Sequence, residues 1–184
     1  MVKTYPGTTV EVSRLSVGDS RTLFDSIFLT GGITLSQMSL LTGLEPYVIQ
    51  NWVKRGFVTP PQKRTYSREQ FARIVIINML KEELQIERIC KLIRLLGGKT
   101  DSPADDLIGD PELYHRYVDL LSLGVSVSDR ASVEAAARRA AEDFTEPFPG
   151  AREQLVSILR VMIYAHAATE LRENAEDVLS ALLG

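Results

Sequence analysis

Residues 33–71 read ITLSQMSLLTGLEPYVIQNWVKRGFVTPPQKRTYSREQF, and this stretch decides how the middle of the chain folds. Thr34 and Gln37 have the spacing of a capping box, in which two side chains satisfy the first free N–H groups of a helix. Gly43 is typical of the residue that ends such a helix. Pro46 suits the first position of a second helix, because a proline there loses no hydrogen bond. The pattern therefore predicts two helices joined by a tight turn.

The second helix is predicted to be amphipathic. Its apolar stripe consists of Val48, Ile49, Trp52 and Val53. Its polar side chains project the other way and are Tyr47, Gln50, Asn51, Lys54 and Arg55. Since residues three and four apart share a face of a helix, the polar set forms one outward surface.

A short basic ribbon follows the second helix. Residues 57–66 contain two adjacent prolines and a cationic tip, which favours a small β-ribbon over a helix. Ser67 and Gln70 then repeat the capping-box spacing and predict a third helix from Arg68. A further amphipathic helix is predicted from Ile86, with an end at the glycine pair 97–98.

This order of elements resembles the DNA-binding head of the MerR class of bacterial regulators, a winged helix-turn-helix. It resembles more closely a family of uncharacterised bacterial proteins, a domain of unknown function, that joins such a head to an all-helical tail. The motifs that carry the resemblance are TGLEPYVIQNWVKRGFV, PPQKRTYSREQ and ELQIERICKLI, within Gly31 to Leu96. The resemblance implies a transcriptional regulator that binds double-stranded DNA as a homodimer. The chain departs from the MerR pattern at Tyr47, Gln50 and Asn51, where arginine and tyrosine are usual.

The outward surface of the second helix supplies the expected base contacts. Tyr47, Gln50 and Asn51 are predicted to face base edges, because Gln and Asn can pair with N6 and N7 of adenine. The expected phosphate-binding residues are hydroxyl or cationic side chains of the head: Ser36, Lys54, Arg55, Lys63, Arg64, Thr65 and Arg68. Phosphate contacts of this kind position a protein on DNA without reading its sequence.

The distribution of charge supports this interpretation although the net charge is −3. Residues 31–99 hold 11 lysines and arginines against 5 aspartates and glutamates. Residues 100–184 hold 7 against 16, so the basic surface is confined to the head. A segregated basic region is typical of a protein that binds nucleic acid.

The flanking regions are predicted to be helical. Residues 1–30 should contain an apolar helix that packs on the head, residues 31–98 form the head, and residues 99–184 form a helical tail. In the tail, helix starts are indicated at Ser102, Asp110 and Asp129. A helix from about Ala151 is apolar almost all round, so either the tail folds back on it or a second subunit covers it. The expected dimer interface consists of Leu155, Ile158, Leu159 and Met162.

The sequence offers little for catalysis. The single cysteine, Cys90, lies on an apolar stripe and is predicted to be a packed core thiol, so neither a disulfide framework nor a metal site is expected. His115 and His166 lie in no recognised catalytic or ligand-spaced motif. We expect no enzyme activity and no cofactor. Without a signal peptide or a long apolar run, the protein is expected to be cytoplasmic, with no membrane partner.

The sequence therefore predicts a mainly α protein, with a MerR-like winged helix-turn-helix, a small β wing and a C-terminal helical bundle. Its predicted function is sequence-specific DNA binding in transcription regulation, by a homodimer on a palindromic operator. The alternative is an adaptor that retains the winged-helix head and binds another protein.

Overall fold

The structure, a computed structural model, describes residues 3–95 and 108–184, and these residues are mainly helical, as predicted. The helices are α1 (Asp19–Ile27), α2 (Leu35–Thr42), α3 (Pro46–Lys54), α4 (Arg68–Leu80), α5 (Ile86–Arg94), α6 (Asp110–Ser122), α7 (Arg130–Ala140) and α8 (Ala151–Leu183). The strands are β1 (Lys3–Thr4), β2 (Glu11–Val12), β3 (Ile33–Thr34) and β4 (Thr65–Tyr66). Within the two described ranges, none of the helices combines the length and apolar character that a membrane crossing requires.

The predicted capping signals are confirmed. The Thr34 side chain accepts the N–H of Gln37, and the Gln37 side chain accepts the N–H of Thr34 at 2.8 Å. Ser67 and Gln70 form the same reciprocal pair at the start of α4. Asp129 caps α7 by accepting the N–H groups of the second and third residues after it. These helix starts are set by hydrogen bonds between neighbours in sequence.

The turn between α2 and α3 also follows the sequence. Gly43 has a φ of 69°, a left-handed conformation that glycine adopts at low cost, and its N–H donates to the carbonyl of Ser39. The Ser39 hydroxyl donates to the Leu44 carbonyl at 2.6 Å and closes the turn. Pro46 occupies the first turn of α3, after an extended Glu45.

The predicted ribbon, residues 57–66, contains the strand β4, whose partner β3 lies outside it, before α2. β3 pairs with β4, and Gln62 forms a further antiparallel bridge with Thr65. β3 precedes α2 directly and β4 precedes α4, so the sheet ties the starts of these two helices together. A second pair of strands, β1 and β2, lies near the N-terminus, where the sequence indicated no strand.

One core joins the predicted head to its flanks. Helix α4 lies at its centre and packs against α2, α5, α6 and α8. The ring of Phe24 in α1 lies 5.0 Å from Phe71 of α4 and 5.4 Å from Tyr114 of α6, measured between centroids. Helix α1 thus packs against both α4 and α6. One continuous hydrophobic core includes residues on both sides of positions 31 and 99, which are the domain boundaries predicted from the sequence.

The tail covers its own apolar helix. α7 and α6 pack against α8, and α4 adds a further contact. The side chains of Leu155, Leu159 and Met162 are completely buried, and that of Ile158 is 2% exposed. These four residues therefore belong to the chain's own core, which corrects the prediction that they form a dimer interface. The sequence pattern correctly required a cover for this helix but underestimated the cover that α4, α6 and α7 supply.

The remainder of α8 is exposed. Every residue from position 170 to position 183 of this helix is open to solvent. Leu171, Val178 and Leu182 are each at least 63% exposed. The predicted helix start at Ser102 lies outside the described residues, whereas those at Asp110 and Asp129 are confirmed.

Candidate nucleic-acid interface

Helix α3 has one buried and one exposed face. Ile49 and Trp52 point into the core, with exposed fractions of 0% and 3%. The expected base-reading residues, Tyr47, Gln50 and Asn51, are all exposed, and the side chain of Tyr47 is 70% exposed. Positions 47, 50 and 51 are three and four residues apart, so their side chains share one helix face. Their role in reading bases stays a prediction.

The bridge between Gln62 and Thr65 closes a tight hairpin whose tip consists of Lys63 and Arg64. The N–H and the carbonyl of Gln62 pair with the carbonyl and the N–H of Thr65, at 3.0 and 2.8 Å. The two residues between have φ angles of 48° and 67°. Positive φ at both central positions is the mark of a type I′ turn, which usually takes Asn and Gly. Two long cationic side chains occupy this turn despite the backbone strain that it imposes on them.

The expected phosphate-binding residues fall into two groups. Among the described residues, Lys54, Lys63 and Arg64 are exposed and form no ion pair. Arg55 instead pairs with Glu87 of α5, and its guanidinium lies over the Phe57 ring, 4.5 Å from the centroid. The first group is free to meet phosphate, whereas a phosphate would have to compete with a carboxylate for Arg55.

Three further residues of the predicted set lie around the same sheet. Arg68 pairs with Asp25 of α1, so it is engaged in the same way as Arg55. Ser36 is exposed in the first turn of α2. Thr65 is half-buried, and its hydroxyl donates to the Gln62 carbonyl at 2.9 Å. Thr65 therefore stabilises the turn, and its hydroxyl proton is already donated within the chain.

Helix α5 adds cations that the sequence analysis did not single out. Arg88, Lys91 and Arg94 are all exposed and lie three residues apart, on adjoining parts of one side of the helix. The Arg55–Glu87 ion pair links this helix to the end of α3. The regular spacing of the basic residues in IERICKLIR could have indicated this basic surface. The apolar stripe of the same segment led only to the prediction of a helix that packs on the core.

Asn78 of α4 holds the turn region in place. Its amide donates to the carbonyl of Thr42, at the end of α2, at 2.9 Å and to that of Gly7 at 3.0 Å. The backbone of Gly7 lies so close to α4 that a Cβ atom there would come within 2.3 Å of the Val75 carbonyl oxygen. The N-terminal loop and the end of α2 are thus fastened to the same point of the central helix.

Three groups with possible reactivity lie elsewhere; two are buried, and the third, His166, is half-buried. Cys90 is 2% exposed, and burial raises the pKa of its thiol, which confirms the predicted core thiol. The His115 ring lies 2.9 Å from the Ser20 hydroxyl, and burial, with a contribution from Arg21, lowers the pKa of His115 to about 4. Burial also lowers the pKa of His166, whose Nδ1 lies 2.7 Å from the Tyr117 hydroxyl. In residues 3–95 and 108–184, no three His, Cys, Asp or Glu side chains converge as a metal site.

Comparison with known families identifies a domain in the middle of the chain. Residues 33–117 match the family described as a domain of unknown function (DUF1836). The match confirms the part of the resemblance that concerns an uncharacterised family. It begins in β3 and ends within α6, so it crosses the boundary predicted after residue 98. No curated protein and no solved structure matches the chain significantly.

Proposed function

We propose that this protein is a sequence-specific DNA-binding transcriptional regulator whose head is a MerR-like winged helix-turn-helix. The observation that carries the proposal is the exposed polar face of α3, next in sequence to a hairpin with two cations at its tip. An amphipathic helix of this kind is suited to the major groove, and a basic hairpin to the neighbouring phosphates. Helix α2 packs against both α3 and β4, so it fixes both parts on one support.

The proposed role of each residue follows from the chemistry of its side chain and from its exposure to solvent. Gln50 and Asn51 present amides that can pair with adenine, and Tyr47 presents a large exposed ring. Lys54, Lys63 and Arg64 serve as phosphate contacts, since no carboxylate among the described residues neutralises them. Arg55 and Arg68 take part only if DNA displaces Glu87 and Asp25. Arg88, Lys91 and Arg94 extend the basic surface along α5.

We further propose that the regulator is a homodimer joined through the exposed part of α8. Leu171, Ala175, Val178 and Leu182 are spaced by four, three and four residues, which is the heptad pattern of a helix that pairs with another helix. These side chains are exposed, in contrast to Leu155 and its neighbours. A two-fold pair of heads fits half-sites about one DNA turn apart, ~34 Å, and hence a palindromic operator.

Selection of bound sequences from a randomised DNA pool tests the DNA-binding proposal. The regulator should enrich one motif with two inverted halves, and a gel shift on random genomic fragments should then retard the fragments that contain it. Failure to retard any fragment at low salt, where phosphate contacts are strongest, would refute the proposal. The triple variant Tyr47→Ala, Gln50→Ala and Asn51→Ala serves as the control, because its changes are exposed and leave the core intact.

An adaptor that binds another protein is the second candidate. Two observations favour it: Arg55 and Arg68 are paired within the chain, and two large apolar side chains of the head are at least 70% exposed. These side chains are Leu40 of α2, 75% exposed, and Tyr47 of α3, 70% exposed. Exposed aromatic side chains are enriched in protein interfaces. The gel shift separates the two candidates, since the adaptor retards no DNA.

A further inference from the structure

A cavity of about 900 Å³ lies at the junction of four parts of the chain. The N-terminal loop, the end of α4, the end of α6 and the middle of α8 surround it. Its apolar lining includes Leu15, Met79, Leu121, Val125 and Ile163. Cavities of roughly 300–1,000 Å³ with an apolar lining and a few polar groups are the usual sites of small molecules in proteins.

The charges at the rim of this cavity are unbalanced. Lys81 is paired with Glu82. The guanidinium of Arg172 lies 3.1 Å from Glu176 and 3.6 Å from Glu83. The two cations of the rim are therefore neutralised by carboxylates, which disfavours an anionic ligand.

Two carboxylates of the rim are left without such a partner. Glu170 and Glu173 line the cavity and form no ion pair within the described residues. They lie three residues apart on α8, so their side chains are neighbours on the helix surface. Both carboxylates also influence the His166 ring, which lines the same cavity, by raising its pKa against the larger effect of burial. The negative charge is thus located beside the apolar lining.

His166 does not compensate this charge. Its burial favours the neutral imidazole, and its Nδ1 is engaged by the Tyr117 hydroxyl of α6. Tyr117 is itself completely buried, so this hydrogen bond holds the imidazole in a fixed place between α6 and the cavity. The site therefore combines an apolar lining, a neutral ring and two unpaired carboxylates.

From this arrangement we infer that the cavity is a binding site for an organic monocation, an ammonium group carried on an apolar body. The apolar body lies against Met79, Leu121 and Ile163, and the ammonium group lies between Glu170 and Glu173. This inference goes beyond the proposed DNA binding and does not depend on it, because none of the residues proposed to contact DNA lines the cavity. Glu170 and Glu173 lie at the start of the exposed part of α8 but are not among the apolar residues proposed for dimerisation.

Calorimetry with two probes that share a naphthylmethyl body and carry opposite charges tests the inference. The full chain is titrated with 1-naphthylmethylammonium and, separately, with 1-naphthylacetate. The ammonium compound should bind at least tenfold more tightly than the carboxylate. The double variant Glu170→Gln and Glu173→Gln should weaken binding of the ammonium compound by about two- to thirtyfold, which corresponds to the loss of two exposed ion pairs.

A matched variant and an internal reference make the result specific. Glu142→Gln with Asp177→Asn also removes two exposed carboxylates, neither of which lines the cavity, and should leave the affinity unchanged. In proton NMR spectra, the ammonium compound should shift the ring signals of His166 and leave those of His115, which lies outside the cavity lining. Equal binding of both probes, binding that survives the double variant, or no binding of the ammonium compound at millimolar concentration would each overturn the inference.

Discussion

The turn at Lys63 and Arg64 provides the sharpest test of the proposed function. Its two cations are proposed to strengthen DNA binding, whereas their backbone conformations lower the stability of the fold. Both residues occupy left-handed backbone conformations, with φ angles of 48° and 67°. Replacing them by the preferred pair, Lys63→Asn with Arg64→Gly, keeps the hairpin and removes two charges. We expect this variant to be more stable than the parent and weaker on DNA.

The magnitudes follow from the conformation and the charge. A left-handed conformation costs a residue with a Cβ atom about 1–2 kcal/mol, and part of the gain at Arg64 is offset by the extra flexibility of glycine, about 0.5–1 kcal/mol. The free energy of unfolding should therefore rise by about 1–2 kcal/mol. Each phosphate contact contributes about 0.9 to the slope of log K against log salt, so the loss of two cations should flatten the slope by about two units for each head bound.

Two assays on the same preparations measure both effects. Urea unfolding followed by circular dichroism gives the stability, and fluorescence anisotropy of labelled operator DNA at several salt concentrations gives the slope. The control is Lys63→Gln with Arg64→Gln, which removes the charges and retains the strained backbone. It should flatten the salt slope equally and leave the stability unchanged. If both variants kept the salt slope of the parent, the hairpin would not contact DNA. If the stability of the Asn-Gly variant were unchanged, the turn would store no strain.

Further predictions concern base reading, acid stability and the two parts of α8. Asn51→Ala should weaken binding to the preferred site by about 1–3 kcal/mol with little effect on binding to random DNA, whereas Lys54→Ala should weaken binding to both kinds of DNA. If anisotropy titrations showed that Asn51→Ala weakens binding to both kinds of DNA equally, Asn51 would not read bases. The folded pKa of His115, about 4, lies below the ordinary value of 6.5. The unfolded chain therefore binds more protons between these values, and stability is lost as the pH falls through this range. From pH 7 to pH 5 His115 should account for about 2 kcal/mol of lost stability, and urea unfolding of His115→Gln should show a smaller loss over that interval than the parent shows. Ile158→Glu should bury an unpaired charge and destabilise the fold by about 3–5 kcal/mol. Leu182→Glu should abolish dimers in sedimentation and, at concentrations where the parent is also a monomer, leave the free energy of unfolding within about 0.5 kcal/mol of the parent. A full-length monomer at tens of micromolar, or a Leu182→Glu variant that still dimerises, would show that the exposed part of α8 is not a dimer interface.

Much of the fold could be predicted because its signals are local. The starts of α2 and α4 depend on hydrogen bonds between Thr34 and Gln37 and between Ser67 and Gln70, three residues apart. The start of α3 depends on Pro46, and its two faces depend on helical periodicity. Each of these signals is complete within one or two helical turns, so the sequence alone determined the helices, their order and the exposed face of α3. The β1–β2 hairpin was missed because its two-residue strands are too short for an alternating pattern.

The tertiary structure alone decided which surfaces are free. Leu155 and Leu171 lie on the same helix and are alike in sequence, yet the first is buried by α4, α6 and α7 and the second is exposed. Lys63 and Arg55 are both cations of the predicted interface, but within residues 3–95 and 108–184 Arg55 has a carboxylate partner, 32 residues away along the chain, whereas Lys63 has none. The placement of His166 beside Tyr117 joins residues 49 positions apart. Helical periodicity predicts that an apolar face must be covered or that a charged side chain points outward. It does not predict which distant segment covers that face or pairs with that charge, because the identity of the segment depends on how all the helices pack together.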